Sequence, residues 1–187
     1  MKKYLLFVLF SFTSTLPLGA QALSASLGIP VSSSFELSIS ADETISNSGK
    51  YNKRPSGILL FVDLPFVIGV GYEKYQVESA SKNLDYKQKV EFLDIFYTLP
   101  IPVVSLAIGF GAGKMGYECD SCSIGLDYTP AWQVFAKVEI PVTILPVRPF
   151  ISYHQVGVIN SGNLSGDSES KWETSGRLWA LGISIGF

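Results

Sequence analysis

The last nine residues of the chain, Trp179-Ala180-Leu181-Gly182-Ile183-Ser184-Ile185-Gly186-Phe187, alternate strictly between large apolar and small neutral side chains. A strand points successive side chains to opposite faces, so Trp179, Leu181, Ile183, Ile185 and Phe187 share one face. Ala180, Gly182, Ser184 and Gly186 share the other. A soluble sheet sets charge on its wet face, and this strand offers glycine and serine there. Hydrocarbon on one side and a crowded barrel lumen on the other suit such a pattern.

The N-terminus carries a second signal. Lys2 and Lys3 precede the apolar run Tyr4-Leu5-Leu6-Phe7-Val8-Leu9-Phe10, and Ala20-Gln21-Ala22 has the small-x-small form of a cleavage site. Residues 1–22 therefore read as a secretory signal peptide, cut after Ala22, with Ala20 and Ala22 as the cleavage signal. The apolar run is too short to cross a bilayer as a helix. Residues 23–187 form the mature domain. Removing Lys2 and Lys3 leaves 12 basic against 16 acidic residues, a net of −4, and no basic stripe, which argues against a nucleic-acid partner. Mean hydropathy is positive at +0.29, yet no later stretch approaches the 18 or so consecutive apolar residues of a helical span. Only helices and closed barrels satisfy backbone hydrogen bonds in lipid, so an exported chain that is apolar at every second residue predicts a transmembrane β-barrel.

The alternation recurs. Leu23, Ala25, Leu27, Ile29, Val31, Phe35, Leu37 and Ile39 are set against Ser24, Ser26, Gly28, Pro30, Ser32 and Ser34. Ile58, Leu60, Val62 and Leu64 oppose Leu59, Phe61 and Asp63; Phe66, Ile68, Val70 and Tyr72 oppose Val67, Gly69, Gly71 and Glu73. Leu93, Ile95 and Tyr97 oppose Phe92, Asp94 and Phe96, where both faces are apolar and the register stays open. Val104, Leu106, Ile108 and Phe110 alternate with Ser105, Ala107, Gly109, Gly111 and Gly113. Trp132, Val134, Ala136, Val138 and Ile140 oppose Gln133, Phe135, Lys137 and Glu139, and Val147, Ile151 and Tyr153 oppose Arg148, Phe150, Ser152 and His154. With the terminal strand the count is about eight.

Residues 41–57, 79–88, 114–129 and 159–175 are long and polar, whereas the connections at Leu64-Pro65, Leu99-Pro100-Ile101-Pro102 and Pro141 to Pro146 are short. Alternating long and short connections predict an eight-stranded antiparallel up-and-down barrel with four long outer loops. In these features the chain resembles the small eight-stranded outer-membrane proteins of Gram-negative and other diderm bacteria, such as the OmpA-type membrane domain and the OmpX and OmpW groups. The resemblance implies a bacterial outer-membrane location, surrounding lipid, and recognition of residues 179–187 by the barrel-assembly machinery. No motif selects a subgroup.

The inward residues bear on function. Glycines on some strands face phenylalanines on others, the large-against-small filling of a narrow barrel. An eight-stranded barrel is only just wide enough for its own side chains, which predicts a filled interior. Asp63, Glu73, Asp94, Lys137, Glu139 and Arg148 point inward as a lumenal charge network, with Glu36 and His154 as further candidates. A cation-selective path along the acids is the rival reading. Cys119-Asp120-Ser121-Cys122 falls in the third outer loop and reads as a local disulfide in an exported protein. One histidine alone makes no metal site, and no cofactor is implied.

Outer-membrane lipid-A deacylases are small barrels with a His-x-Ser pattern, which fails here because Gln155 and Val156 follow His154. Ser152 shares a face with His154, but no acid completes a triad in sequence. Tyr72, Tyr75, Tyr97, Tyr153, Trp132 and Trp179 read as interfacial anchors. The expectation is a non-enzymatic, monomeric barrel with a structural role or a host or envelope ligand at its loops. The alternatives are a narrow conduit for small apolar or cationic solutes, an outer-membrane lipid-modifying enzyme, and a secreted β-sandwich.

Overall fold

The computed structural model describes residues 23–41, 44–51, 55–65, 67–78, 86–99, 101, 104–119, 126–140, 147–159, 162–164 and 167–186. Ten strands follow in chain order: β1 Ser24–Ala41, β2 Thr44–Tyr51, β3 Ser56–Asp63, β4 Ile68–Glu78, β5 Tyr86–Leu99, β6 Ser105–Cys119, β7 Leu126–Glu139, β8 Val147–Val158, β9 Gly162–Leu164 and β10 Asp167–Gly186. Eight of them form the wall, each antiparallel to its neighbours in the order β1-β3-β4-β5-β6-β7-β8-β10. β10 returns to β1 from Ser24↔Gly186 to Ser40↔Lys171, which closes the cylinder. The two remaining strands are extensions: β2 pairs with the upper part of β1, and β9 leans on β10 and β7. Closure leaves every wall strand with two partners, as a barrel in lipid requires.

The outer face carries the belt that the alternation predicts. Leu93 is 69% exposed while its neighbour Phe92 is 1% exposed, so the open register of β5 resolves with Leu93, Ile95 and Tyr97 outward. Leu27, Ile68, Val70, Ile108, Phe110, Val134, Ile151, Leu181 and Ile183 continue the belt around the wall. That continuous apolar surface on a closed sheet spans a bilayer. Tyr153 and Trp179 sit at its upper rim with ring centroids 4.9 Å apart. Tyr75 breaks the expectation of an anchor: it points inward and is 3% exposed.

Three further corrections follow from the register. First, several strands run beyond the predicted boundaries. β5 starts at Tyr86, β6 continues to Cys119, and β10 starts at Asp167, so residues read as loop belong to a taller wall. Second, β1 is not one uniform face. A bulge between Pro30 and Ser32 shifts its register with β10. One extra residue turns the following side chains over. Phe35 is therefore buried inside while Glu36 is exposed outside, the reverse of the sequence expectation. Third, the β1–β3 ladder runs from Ser24↔Asp63 only to Gly28↔Leu59. Pro30, which has no amide donor, stands just beyond that point. Gly57 stands opposite it with φ 152°, and a side chain there would meet the Lys74 carbonyl oxygen at 2.3 Å.

The first short connection is a tight turn: the Leu64 amide donates to the Ile68 carbonyl at 2.9 Å, and Val67 adopts φ 60°. The signal peptide at residues 1–22 lies outside the described residues, as do Cys122, the side chain of Cys119 and the centres of the four outer loops.

Candidate functional site

The lumen is where the sequence concentrates its polar chemistry, and its filling begins with cross-strand pairs of phenylalanine and glycine. Phe61 pairs with Gly71, Phe96 with Gly69 and Gly109, Phe135 with Gly109, Phe150 with Gly182, Phe92 with Gly113 and Phe35 with Gly176. Each ring covers the space that its partner lacks a side chain to fill. Added Cβ atoms would show it: at Gly69 one would meet Phe96 Cζ at 2.0 Å, and at Gly176 one would meet Phe35 Cδ1 at 2.1 Å. The inward aromatic and the outward belt residue thus come from the same alternation.

These pairs divide the interior into tiers. Lowest, near the chain termini, is an ionic tier. Lys137 Nζ lies 2.8 Å from Glu139 Oε1 and 3.6 Å from Asp63 Oδ2, and Arg148 Nη1 lies 3.8 Å from Glu139 Oε2. Ser24 donates to Asp63 Oδ2 at 2.6 Å, Thr98 to Asp63 Oδ1 at 2.9 Å and Ser184 to Glu139 Oε1 at 2.8 Å. Above it Phe61, Phe96, Phe135 and Phe150 pack with Leu59, Ala107 and Ala180. The Phe61 and Phe135 centroids are 5.5 Å apart, and Lys137 Nζ lies 5.0 Å from the Phe96 centroid, so the cation is roofed by aromatic faces.

A second polar tier lies above the phenylalanines. Gln133 Nε2 donates to Asp94 Oδ1 at 2.6 Å, and His154 Nε2 shares a hydrogen bond of 2.8 Å with Ser152 Oγ. His154 Nδ1 is 3.2 Å from Glu73 Oε1, without the alignment of a hydrogen bond. The imidazole stacks on Phe135 at 5.2 Å. Above this tier an apolar cluster of Phe35, Tyr75, Val77, Val90, Phe92, Met115, Ala131, Val156 and Leu178 fills the lumen.

All six expected network residues face inward, but they form two groups rather than one. Asp63, Lys137, Glu139 and Arg148 are joined, while Glu73 and Asp94 sit in the second polar tier. Glu36 is outside both. Sequence reasoning missed Gln133 as a network member, although its place between Ala131 and Phe135 on the inward face marked it. It also missed the acid beside His154. Ser152, His154 and Glu73 stand in the order of a nucleophile, base and acid, and only the β-barrel register could bring residue 73 to residue 154. Chemistry needs access, and the three side chains are 1%, 0% and 0% exposed between two apolar layers. The array holds a histidine in place, away from solvent.

Outside, a groove at the top of the belt is lined by Ile58, Lys74, Gln76, Lys89, Glu91 and Tyr128. Tyr128 reaches across Gly116, where a side chain would meet its ring at 2.8 Å. Lys89 and Glu118 pair at 2.5 Å, and Lys114 and Glu91 at 3.2 Å.

No family model and no curated protein matches the chain. Solved structures do. Neisserial surface protein A has 14% identity and a TM-score of 0.60, the match covering 88% of this chain and 97% of that one. The outer membrane protein OprG from Pseudomonas aeruginosa has 12% identity and a TM-score of 0.57, covering 91% and 98%. The outer membrane protease OmpT from Escherichia coli has 9% identity and a TM-score of 0.51, covering 94% and 100%. At such identities the likeness is one of fold. The chain has the fold of bacterial outer-membrane β-barrel proteins, and its belt is the surface such a barrel turns to lipid.

Proposed function

We propose that this barrel is a non-catalytic outer-membrane protein that holds its outer loops rigidly for binding a host or envelope component, with a lumen closed to solutes. The stacked interior carries the reading. Lys137 is locked between Glu139 and Asp63 beneath Phe61, Phe96 and Phe150, and a second apolar layer lies above. A wall so filled has nothing to do but support what it carries, and loops on a rigid scaffold are where binding concentrates. Monomeric assembly, with the terminal strand at residues 179–187 read by the assembly machinery, belongs to the same proposal.

A conduit with access through the wall is the second reading, favoured by the β1–β3 ladder that stops at Gly28↔Leu59 beside Pro30. Planar-bilayer recording separates the two. The closed reading expects a silent membrane. Discrete openings, altered by Asp63→Asn, Glu73→Gln or Asp94→Asn, overturn it in favour of the conduit.

A further inference from the structure

Just above the Tyr153–Trp179 pair the outer wall carries a polar recess of about 270 Å³, lined by Ser34, Glu36, Gln155, Ser175, Gly176 and Arg177. The pleat builds it. Arg177 on β10 pairs with Gln155 of β8 on one side and Ser34 of β1 on the other, so three outward side chains stand in one row. Ser175 and Glu36 face each other in the next row up.

Two observations give the recess its chemistry. Arg177 is exposed and makes no ion pair with any described acid, whereas Lys89 and Lys114 in the groove on the β3–β7 side are already held by Glu118 and Glu91. The second concerns Gln155. The Tyr153 hydroxyl donates to its Oε1 at 3.2 Å, which occupies the acceptor end of the amide and leaves the Nε2 hydrogens to the recess. Ser34 and Ser175 add hydroxyls. Glu36, the one acid on the lining, has a partner of its own. A guanidinium fork with amide and hydroxyl donors around it suits an oxyanion with several free oxygens. A monoester phosphate carries three such oxygens, and a diester fewer.

Height on the wall selects the carrier. Trp179 ends the belt, with Leu181 and Ile29 exposed beneath it. Two residues further up a tilted strand is a climb of about 5 Å. The headgroup layer above the acyl chains is about 5–7 Å thick on each side. Arg177 therefore stands where a lipid phosphate lies.

We propose that Arg177, Gln155, Ser34 and Ser175 bind the terminal phosphate of a phosphomonoester lipid in the outer leaflet, with its acyl chains laid down the belt over Trp179, Leu181 and Ile29. Tyr153 positions the Gln155 amide. The lipid would bridge β1 and β10, the pair that closes the cylinder.

The test uses the mature chain folded in detergent and native mass spectrometry with phosphatidic acid, phosphatidylcholine of the same acyl chains, or inorganic phosphate. The expected result is one phosphatidic acid kept per barrel in preference to phosphatidylcholine, and no displacement by inorganic phosphate. Arg177→Leu weakens retention about tenfold or more, as loss of charge-assisted hydrogen bonds does. Glu36→Gln, which removes the acid beside the anion, strengthens it. Lys74→Leu, which removes a cation above the belt but outside the recess, leaves it unchanged. The unfolding midpoint of Arg177→Leu in vesicles of phosphatidylcholine alone stays at the wild-type value, which separates lost binding from lost folding. Equal retention of the two lipids overturns the proposal. So does a preference for phosphatidic acid that survives Arg177→Leu, or that falls as far with Lys74→Leu. Displacement by inorganic phosphate overturns the lipid as occupant and assigns the recess to a soluble anion.

Discussion

Leu178 and Leu181 are three residues apart on β10, yet Leu178 is 0% exposed in the lumen and Leu181 is 46% exposed on the outer wall. They stand on either side of a boundary. At bilayer level the outside is apolar and the inside mixes aromatics with charge. Above that level the inside is mostly apolar, with Tyr75, Val77, Val90, Met115 and Leu178 beside the hydrogen-bonded Gln88, Tyr117 and Thr174, and the outside carries Lys74, Lys89, Glu91, Lys114 and Arg177. The pleat is the same throughout; the parity of the greasy positions changes. On β5 the change falls between Phe92 and Leu93, and on β10 between Leu178 and Trp179. A sheet surrounded by lipid must be greasy outward, whereas the same sheet surrounded by water must hide its apolar residues. On β1 the greasy residues keep one parity in sequence from Ile29 to Phe35, and the bulge at Pro30/Ser32 makes the switch in the backbone instead.

The contrast would break most visibly in the lower lumen. Lys137 is 1% exposed and holds Glu139, itself 2% exposed, against Asp63. Lys137→Met keeps the stem and leaves those carboxylates short of their cation, at an expected cost of about 3–5 kcal/mol. Urea unfolding in lipid vesicles, with heat-modifiable gel migration as the fold assay, measures it. An unchanged midpoint would mean that the ionic tier contributes no more than the apolar cluster above it.

The boundary itself is sharpened by two substitutions on one face of β10. Leu181→Arg puts a charge into the belt and is expected to cost about 2–4 kcal/mol. Arg177→Leu, on the same face but above Trp179, is expected to leave the unfolding midpoint where it is. Equal effects at the two positions would place the bilayer edge elsewhere.

Most of the bilayer-level barrel was legible because one physical cue, period two with small residues inward, is local. It assigned both faces of β3, β4, β6, β7 and β8 as the structure has them. The upper wall was less legible. There the apolar parity reverses among charged residues, as at Lys87-Gln88-Lys89-Val90, and a reading tuned to greasy-outward strands takes such stretches for loop. The bulge in β1 had a local cue, Pro30, but its consequence for Phe35 and Glu36 depends on pairing with β10. The second polar tier was legible as a list of inward residues and not as a group. Which acid lies beside His154 is decided by closure of the cylinder, because β4 and β8 stand on opposite sides of the wall with three strands between them in either direction.

The smallest effect expected is also the most specific to the filling of the lower lumen. Gly109 is paired with Phe96 on one side and Phe135 on the other, and a Cβ there would lie 2.3 Å from Phe135 Cε1 and 2.8 Å from Phe96 Cβ. Gly109→Ala overfills the tier and is expected to cost about 1–3 kcal/mol. Phe135→Leu alone opens a gap and also destabilises. If the two residues fill one space, the double variant Gly109→Ala, Phe135→Leu unfolds at a lower cost than the two single costs combined, because the methyl moves into room the ring gave up. The same cycle between Gly109→Ala and Leu178→Ala, in the upper cluster, should be additive. Coupling in the first pair and none in the second would mean that the two ends of the lumen are packed independently, each by the side chains its own surroundings left to face inward.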